Sequence, residues 1–490
     1  MATKESRQTP LSRGTVKPAL GASIRRLRRR KGLSQVKLAQ RLEISPSYLN
    51  LIEGGRRNVT VPLLFGLSQH LGVGLAELAP GDEGQLAADL IELFADDLFE
   101  DHDLTTSDVR DLVGAAPAAG RAMLTLYDAY RKTRQDLASL VDGDPNGNGA
   151  GNEVPAARLP AEQVSDFIQA ERNHFPSLED AAERVARDIR LSDTDAMQGM
   201  TTFLANAFGV RVATLQPGDG RAIARHFDRK AMVLEISESL PPASRQFQLA
   251  HQIGLLAAKP EIDGILEQAD LSGDDTLALT RIALANYFAA TLLMPYEDFL
   301  MSARRLRYDI DLLAHRFGSS FEQVCHRLTT LRRDGASGVP FHMLRTDIAG
   351  NISKRLSLSG IHIPRHGAAC PRWNVYAAFL RPGAINVQLS RMPDGRTYFC
   401  IARAIEKAVG GYHAQHTYHS ICLGCEIGYA RELVYADGID LEDTSLAVPI
   451  GASCRICERM DCRQRAFPPV AHRLNFDENT RGLSAYVSAD

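Results

Sequence analysis

Residues 142–152 read DGDPNGNGAGN and divide the chain. Their glycines, asparagines and single proline offer no large apolar side chain. The stretch can join no core and reads as a linker. At 490 residues the chain also exceeds what one hydrophobic core supports, so several domains flank this break. Ahead of it, from 17 to 141, the patterning is helical throughout. Behind it, helices mix with alternating segments such as GVRVATLQ (Gly209–Gln216), KAMVLEIS (Lys230–Ser237), AINVQLS (Ala384–Ser390) and RTYFCIAR (Arg396–Arg403).

A net charge of −3 conceals an uneven spread. From Lys17 to Arg57 there are eleven Lys/Arg against two Glu; from Gly81 to Leu112 there are eleven Asp/Glu against one Arg. A basic head before an acidic segment points to a local polyanion partner, although a solvated helix face gives the same count. No uninterrupted run of 18 apolar residues occurs, so no membrane span is expected. The polar start, MATKESRQTPLSRG, lacks an apolar signal core, and residues 1–16 read as a disordered tail; the expected location is cytoplasmic. Eight cysteines in a chain this long do not suggest a secreted disulfide scaffold; none precedes Cys325 and five lie between Cys422 and Cys462.

The run LSQVKLAQRLEISPSYLNLIEGGRR carries helix-turn-helix spacing. Leu38, Ala39 and Leu42 share one helical face; Ile44, Leu49 and Ile52 form the face that meets it. Ser45 can cap the second helix, with Pro46 at its first position. That helix would offer Ser45, Pro46, Ser47, Tyr48 and Asn50 to base edges. Gln35, opening the preceding helix, can reach phosphate or a base. Arg25, Arg26, Arg28, Arg29, Arg30, Arg56 and Arg57 can neutralise phosphates. Over residues 20–80 these motifs resemble the Cro/repressor-like (XRE) helix-turn-helix family. The resemblance implies dimeric binding to paired half-sites on double-stranded DNA, as a homodimer or homotetramer. Glu43 stands where that family's turn commonly has Gly; in a left-handed conformation it would cost on the order of 1 kcal/mol.

Residues 160–335, through FQLAHQIGLL (Phe247–Leu256) and ANYFAATLLMPYEDF (Ala285–Phe299), resemble the ImmA/IrrE-type metallopeptidase domain. In active members H-E-x-x-H supplies two zinc ligands and a base, and a Glu on the second helix supplies the third ligand. Here His251 is followed by Gln252, and Leu255 stands where the second histidine belongs. No Asp or Glu occurs between Thr276 and Tyr296. The resemblance therefore implies a zincin-like scaffold without its chemistry, with His251 a hydrogen-bonded core or pocket residue. Ile310–Arg333 also has a helix-turn-helix look, which leaves a second DNA reader open.

The last region carries Cys422-x-x-Cys425, then Cys454-x-x-Cys457 and Cys462. Thiolates at this spacing can share a metal, because a tight turn aims both sulfurs inward. Four thiolates suit tetrahedral zinc or an iron–sulfur cluster. The segment LVYADGIDL through PIGASCRICERMDCRQRAFPP (Leu433–Pro469) resembles the C-terminal domain of the short-chain fatty acyl transcriptional regulators. With the other two regions, that resemblance spans about residues 20–470. It implies Cys425, Cys454, Cys457 and Cys462 as metal ligands, with Cys422 as an alternate. It also implies a short-chain acyl-coenzyme A effector. A coenzyme A site wants cations for phosphates, an apolar wall for adenine and a dry slot for the acyl chain. Arg365, His366, Arg372, Trp373, Tyr376, Arg381, Arg396, Tyr398 and Arg403 are the candidates, with His251 a further one.

The expected architecture is multidomain. It runs as an all-α helix-turn-helix domain (17–80), a helical region suited to oligomerisation (81–141), a linker (142–152), an α+β zincin-like domain (153–335) and an α+β sensor domain with a cysteine cluster (336–490). The expected function is DNA-binding regulation of propionyl-CoA or acetyl-CoA metabolism, without enzymatic activity. Two alternatives stay open: a zinc peptidase that cleaves a repressor, and a regulator whose iron–sulfur cluster senses redox state.

Overall fold

The computed structural model describes, with short gaps, residues 33–53, 83–142, 160–189, 195–216, 223–364, 369–407 and 416–468, and single positions between 24 and 70. The chain forms two compact units, Met1–Gly147 and Asn148–Asp490. The expected tail and all but the first residue of the expected linker lie outside the described residues, as does Glu43.

The first unit holds two helical clusters. Helices α1 (Gln35–Arg41) and α2 (Pro46–Glu53) bury Leu38, Ala39, Leu49 and Ile52 with Ile24 and Leu67. Helices α3 (Glu83–Phe94), α4 (Thr106–Ala115) and α5 (Pro117–Asp142) enclose Leu86, Leu90, Leu93 and Phe94. Leu98, four residues past Phe94, is exposed. The helix ends at Phe94, and a 3-10 turn brings Phe99 in instead, its ring 5.2 Å from that of Phe94.

In the second unit, α6 (Pro160–Ala170), α7 (Pro176–Ile189) and α8 (Ala196–Phe208) precede a small sheet. Strands β1 (Arg211–Leu215), β2 (Arg225–Asp228) and β3 (Val233–Ser237) lie in the order β1-β3-β2; β1 and β3 are parallel. Helices α9 (Pro242–Ala257), α10 (Lys259–Gln268) and α11 (Asp274–Leu293) follow. Gly254 lets α9 approach α11: a Cβ there would sit 2.8 Å from the Phe288 ring. By length and composition α11 could cross a bilayer, but Leu284, Ala285, Phe288, Ala289 and Leu292 are core residues packed against α7 and α9.

Three more helices, α12 (Tyr296–Arg305), α13 (Ile310–Phe317) and α14 (Phe321–Leu328), lead to a six-stranded sheet. Its strands are β4 (His342–Asp347), β5 (Ile352–Ser357), β6 (Asn386–Arg391), β7 (Thr397–Lys407), β8 (Thr417–Glu426) and β9 (Val448–Pro449), with the short helix α15 (Asn374–Ala377) between β5 and β6. The order is β5-β4-β8-β7-β6-β9, antiparallel except for β6 with β9. Strand side chains alternate between faces. One face of β7, Phe399 and Ile401, shares a core with Phe299, Leu313 and Val324 of the preceding helices and with Leu331 just after them. The other face, Tyr398, Cys400 and Ala402, packs with Trp373, Val375 and Cys370. One core therefore runs from the α12–α14 helices into the sheet, across the turn at Asp334–Gly338.

A buried ion pair ties the helices together. Arg327 on α14 is fully buried and forks onto Glu179 of α7, with Nη1–Oε1 2.7 Å and Nη2–Oε2 2.9 Å. Tyr287 donates to Glu179 at 2.6 Å, and Arg327 Nε donates to the Met294 carbonyl at 2.9 Å.

Candidate DNA reader, peptidase-like groove and sensor centre

In the head, Ser34 and Ser45 cap α1 and α2: Ser34 Oγ accepts from Lys37 N at 3.2 Å and Ser45 Oγ from Tyr48 N at 3.1 Å. Pro46 needs no amide partner at the first helical position. Ser45, Pro46, Ser47 and Asn50 are exposed, and Tyr48 is half-buried against the cluster. Gln35 reaches across from α1, its Nε2 3.3 Å from Asn50 Oδ1 and 3.1 Å from Glu53 Oε2. The start of α2 thus presents a small polar surface beside Gln35, the form a major-groove reader takes. Arg28 corrects the phosphate set. It is buried, bidentate to Glu53 at 2.7 and 2.9 Å, and it donates to the Leu33 carbonyl, so it holds the head together and faces no phosphate. Arg25, Arg26, Arg29, Arg30, Arg56 and Arg57 lie outside the described residues.

On α9, His251 is 3% exposed. Arg225 Nη1 lies 2.6 Å from its Nδ1, and the ring also bonds the Ile282 backbone. Burial, then the Arg225 charge, pushes its pKa down to about 3, so the imidazole is neutral at pH 7. With Nδ1 occupied by Arg225 and the ring buried, His251 is a hydrogen-bonded core residue. The candidate acyl-CoA residues lie instead on the six-stranded sheet, so His251 joins no site with them.

The second helix-turn-helix look is a covered pair. Glu322 on α14 receives Arg345 Nη1 and Lys407 Nζ, each at 2.7 Å, from β4 and β7. Arg327 is buried on the same helix. No face of α14 remains to enter a groove.

The cysteines fall into three places. Cys422 and Cys425 lie in β8, where a turn was expected. Three residues apart on a strand, their thiols face opposite sides and cannot share an ion. Cys425 packs in the core with Phe399, Ile401 and Leu433, and burial raises its thiol pKa; Cys422 faces the Trp373 side. Cys425 thus lies on the face away from Cys370, and Cys422 lies with His342 and Cys400. Cys370 lies beside the loop that carries Cys454 and Cys457. Its amide donates to the Ala452 carbonyl at 2.9 Å, and it lies close enough to Cys454 and Cys457 for their charges to raise its pKa, after burial. Cys457 interacts in turn with Cys462.

The loop that carries these thiols, residues 450–466, has no regular secondary structure. Arg465 organises it by donating to the carbonyls of Cys454 (2.7 Å) and Cys457 (2.8 Å); Arg459 donates to those of Ile450 (3.2 Å) and Arg391 (2.9 Å). Backbone amides of Gly451 and Arg372 reach the Cys370 sulfur, that of Arg459 reaches Cys457, and Ala466 N lies 3.5 Å from Cys454 Sγ. Amides aimed at sulfur stabilise thiolates.

Of the acyl-CoA candidates, Trp373, Tyr376 and Tyr398 gather on one side of the sheet. Arg396 bonds the Tyr398 hydroxyl, and burial is the main cause raising that hydroxyl's pKa. Arg372 is half-buried and Arg381 exposed nearby. Trp373 is 5% exposed, and its indole Nε1 has no hydrogen-bond partner. Arg403 does not belong to this group: it points to the opposite face, 2.6 Å from Asp311 and 5.0 Å over the Phe321 ring. Arg365 and His366 lie outside the described residues.

Three segments of the chain match known protein families. A helix-turn-helix domain matches residues 19–80, an IrrE N-terminal-like domain 205–329, and the C-terminal domain of the short-chain fatty acyl coenzyme A regulators 330–486. The HTH-type transcriptional regulator PrpR of Mycobacterium tuberculosis is 36% identical over 98% of both chains. A propionyl-CoA carboxylase regulator of Cereibacter sphaeroides is 38% identical over 96% of this chain and 98% of its own. The chain belongs to the short-chain fatty acyl coenzyme A regulator family. It is a DNA-binding transcriptional regulator, not an enzyme. A solved Mycobacterium tuberculosis transcriptional regulator superposes on this regulator with a TM-score of 0.64 at 40% identity, covering 67% of this chain and all of its own. The peptidase-like segment of the regulator is the one in which Gln252 and Leu255 replace base and ligand.

Sequence reasoning missed Cys370. Its signal is faint, a Cys-Pro pair (370–371) two residues before the chain's one tryptophan.

Proposed function

We propose that the chain reads a paired operator with α2 and changes its affinity when unit 148–490 binds a short-chain acyl-CoA, with propionyl-CoA the favoured effector. The observation that carries this reading is the unpartnered indole N–H of Trp373. A buried donor left without an acceptor costs roughly 1–3 kcal/mol, which a polar group on a ligand would recover. Tyr376 and Tyr398 supply aromatic surface beside it, and Arg372, Arg381 and Arg396 supply charge for phosphates. The relatives' names, one of them a propionyl-CoA carboxylase regulator, support the choice of effector.

At the operator, Ser45, Pro46, Ser47, Tyr48 and Asn50 meet base edges, Gln35 meets a base or phosphate, and Arg56 and Arg57 meet phosphates. Binding to two half-sites calls for a homodimer or homotetramer acting in the cytoplasm. In domain terms the reader occupies 17–80, an oligomerising helical region 81–141, a zincin-like scaffold 153–335 and the sensor 336–490.

The thiol-only set Cys370, Cys454, Cys457 and Cys462 fits a metal centre, because backbone amides already point at three of its four sulfurs. Such a set holds tetrahedral zinc or an iron–sulfur cluster. When bound, the group would fix the 450–466 loop against Cys370, beside Trp373. Absorption spectra of anaerobically purified protein separate the two: a cluster absorbs visible light and zinc does not. For the regulator itself, operator binding is titrated with and without propionyl-CoA and acetyl-CoA. A shift in apparent Kd that Trp373→Phe abolishes is the expected result; affinity unchanged by either thioester would end the sensor reading.

A further inference from the structure

The six-stranded sheet brings a second set of soft donors together, away from the 450–466 loop. In the register of the sheet, Gly424 on β8 stands directly between His342 on β4 and Cys400 on β7. The three residues share one face. Gly424 has no side chain, so the imidazole and the thiol close over it: a Cβ there would lie 2.5 Å from His342 Nε2 and Cε1. Cys422, two residues earlier on β8, points to the same face. His342, Cys400 and Cys422 are all buried, and one nitrogen and two sulfurs lie within 4.8 Å of one another.

We propose that His342, Cys400 and Cys422 form a buried binding site for a thiophilic divalent cation, with zinc as the reference ion, seated over Gly424.

Geometry supports it first. His342 Nε2 is 3.5 Å from Cys400 Sγ. A tetrahedral N–Zn–S edge spans roughly 3.5 Å when Zn–S is about 2.3 Å and Zn–N about 2.0–2.1 Å. The surrounding contacts are those of a ligand set held in place. His342 Nδ1 lies 2.8 Å from Ser359 Oγ, which fixes the ring and turns Nε2 inward. The Tyr398 ring packs edge-on against the imidazole, with centroids 5.8 Å apart. Asn374 is anchored through Nδ2 to the carbonyls of Asn386 (2.9 Å) and Cys400 (3.2 Å), which leaves its Oδ1 3.9 Å from Cys422 Sγ as a fourth donor atom, an oxygen, near the site.

Charge balance selects the ion. A lone charge in an apolar core carries a large desolvation penalty, whereas two thiolates and a neutral imidazole around a divalent cation sum to zero. A monovalent cation would leave one negative charge buried. Without an ion, one thiol of the pair takes up negative character at the expense of the other: hydrogen bonding from Cys422 lowers the Cys400 pKa, and the same bond raises that of Cys422.

The site differs from the Cys370–Cys462 set in one measurable respect, its nitrogen ligand. Full-length protein is loaded anaerobically with cobalt(II), and bound metal per chain is counted for the wild type and for Cys400→Ser, Cys422→Ser and Gly424→Ala. The wild type is expected to hold one ion more than each variant. Gly424→Ala removes no donor but sets a methyl against the His342 ring and, 2.8 Å away, the Phe399 carbonyl, so its metal count is read only on protein that folds by circular dichroism. Cys457→Ser, which weakens the other centre, should leave this ion in place. Should the sheet variants misfold by circular dichroism, X-ray absorption at the metal edge of zinc- or cobalt-loaded Cys457→Ser protein reads the site directly; a shell of two sulfurs and a nitrogen is expected there. The proposal is overturned if the wild type holds no more metal than the folded variants, or if that absorption shows an all-sulfur shell.

Discussion

Replacing Glu179 by glutamine removes one charge from a pair in which neither partner is measurably exposed. Arg327 would keep its bonds to the Met294 carbonyl, Thr291 and Thr330, all of them neutral, and its positive charge would stay buried without a counter-ion. Removing one partner of such a pair costs about 3–5 kcal/mol. A unit of roughly 340 residues unfolds with about 2.1 cal/mol/K per residue, so 4 kcal/mol becomes a loss of roughly 5–6 °C in Tm. Arg327→Met should cost a similar amount, because the carboxylate must then take a proton or stay charged in the core. The double variant should cost clearly less than the sum of the two, with a coupling energy above about 2 kcal/mol. Calorimetry or urea unfolding of the four proteins measures this cycle. The pH dependence has a defined sign. Burial works to raise the Glu179 pKa, but the charge and hydrogen bonds of Arg327 bring it below the ordinary carboxylate value. The pair's contribution is therefore present at neutral pH and lost as pH falls through the folded value. If each single change costs less than about 1 kcal/mol, or the two are additive, this ion pair does not join α7 to α14 as described.

Other perturbations give equally direct readings. His251 has a folded pKa pushed down to about 3 by burial and Arg225; stability should fall as pH drops from about 6.5 toward 3, and His251→Gln should flatten that limb of a stability-versus-pH curve. Ser45→Ala removes the cap of α2 and should cost the head about 1 kcal/mol, whereas Asn50→Ala should leave thermal stability unchanged and weaken specific operator binding in a fluorescence titration. Cys370→Ser should lower metal or iron content as much as Cys457→Ser does, while Cys425→Ser should not change it.

The helical face at Leu38, Ala39, Leu49 and Ile52, the cap at Ser45, and the strand at Val233–Ser237 were legible because each depends on neighbours in sequence. Loss of zinc chemistry was legible for the same reason: Gln252 and Leu255 need no fold to be disqualified as base and ligand. Long-range pairings were not legible. Arg28 looks like any other arginine of a basic run until Glu53, 25 residues on, comes to lie beside it. Cys422-x-x-Cys425 has the spacing of a metal turn, but that spacing is equally compatible with a strand, and only the pairing of β8 with β4 and β7 separates the two thiols. Cys370 lies more than eighty residues from Cys454, and no periodicity connects them. The same limit hid His342, whose importance comes from its register partner Gly424 on the neighbouring strand, more than eighty residues along the chain.

The core shared by Phe299, Leu313 and Val324 with Phe399 and Ile401 bears on why a peptidase scaffold persists here without its reaction. Cutting the chain near residue 330, where the two family matches meet, would strip the sheet of its wall and leave the helices with an open apolar flank. Neither piece is expected to be soluble alone. The helices of the IrrE-like segment serve as a stiff backing plate for the sheet, and what this packing asks of them is shape and volume, with no demand for metal ligands.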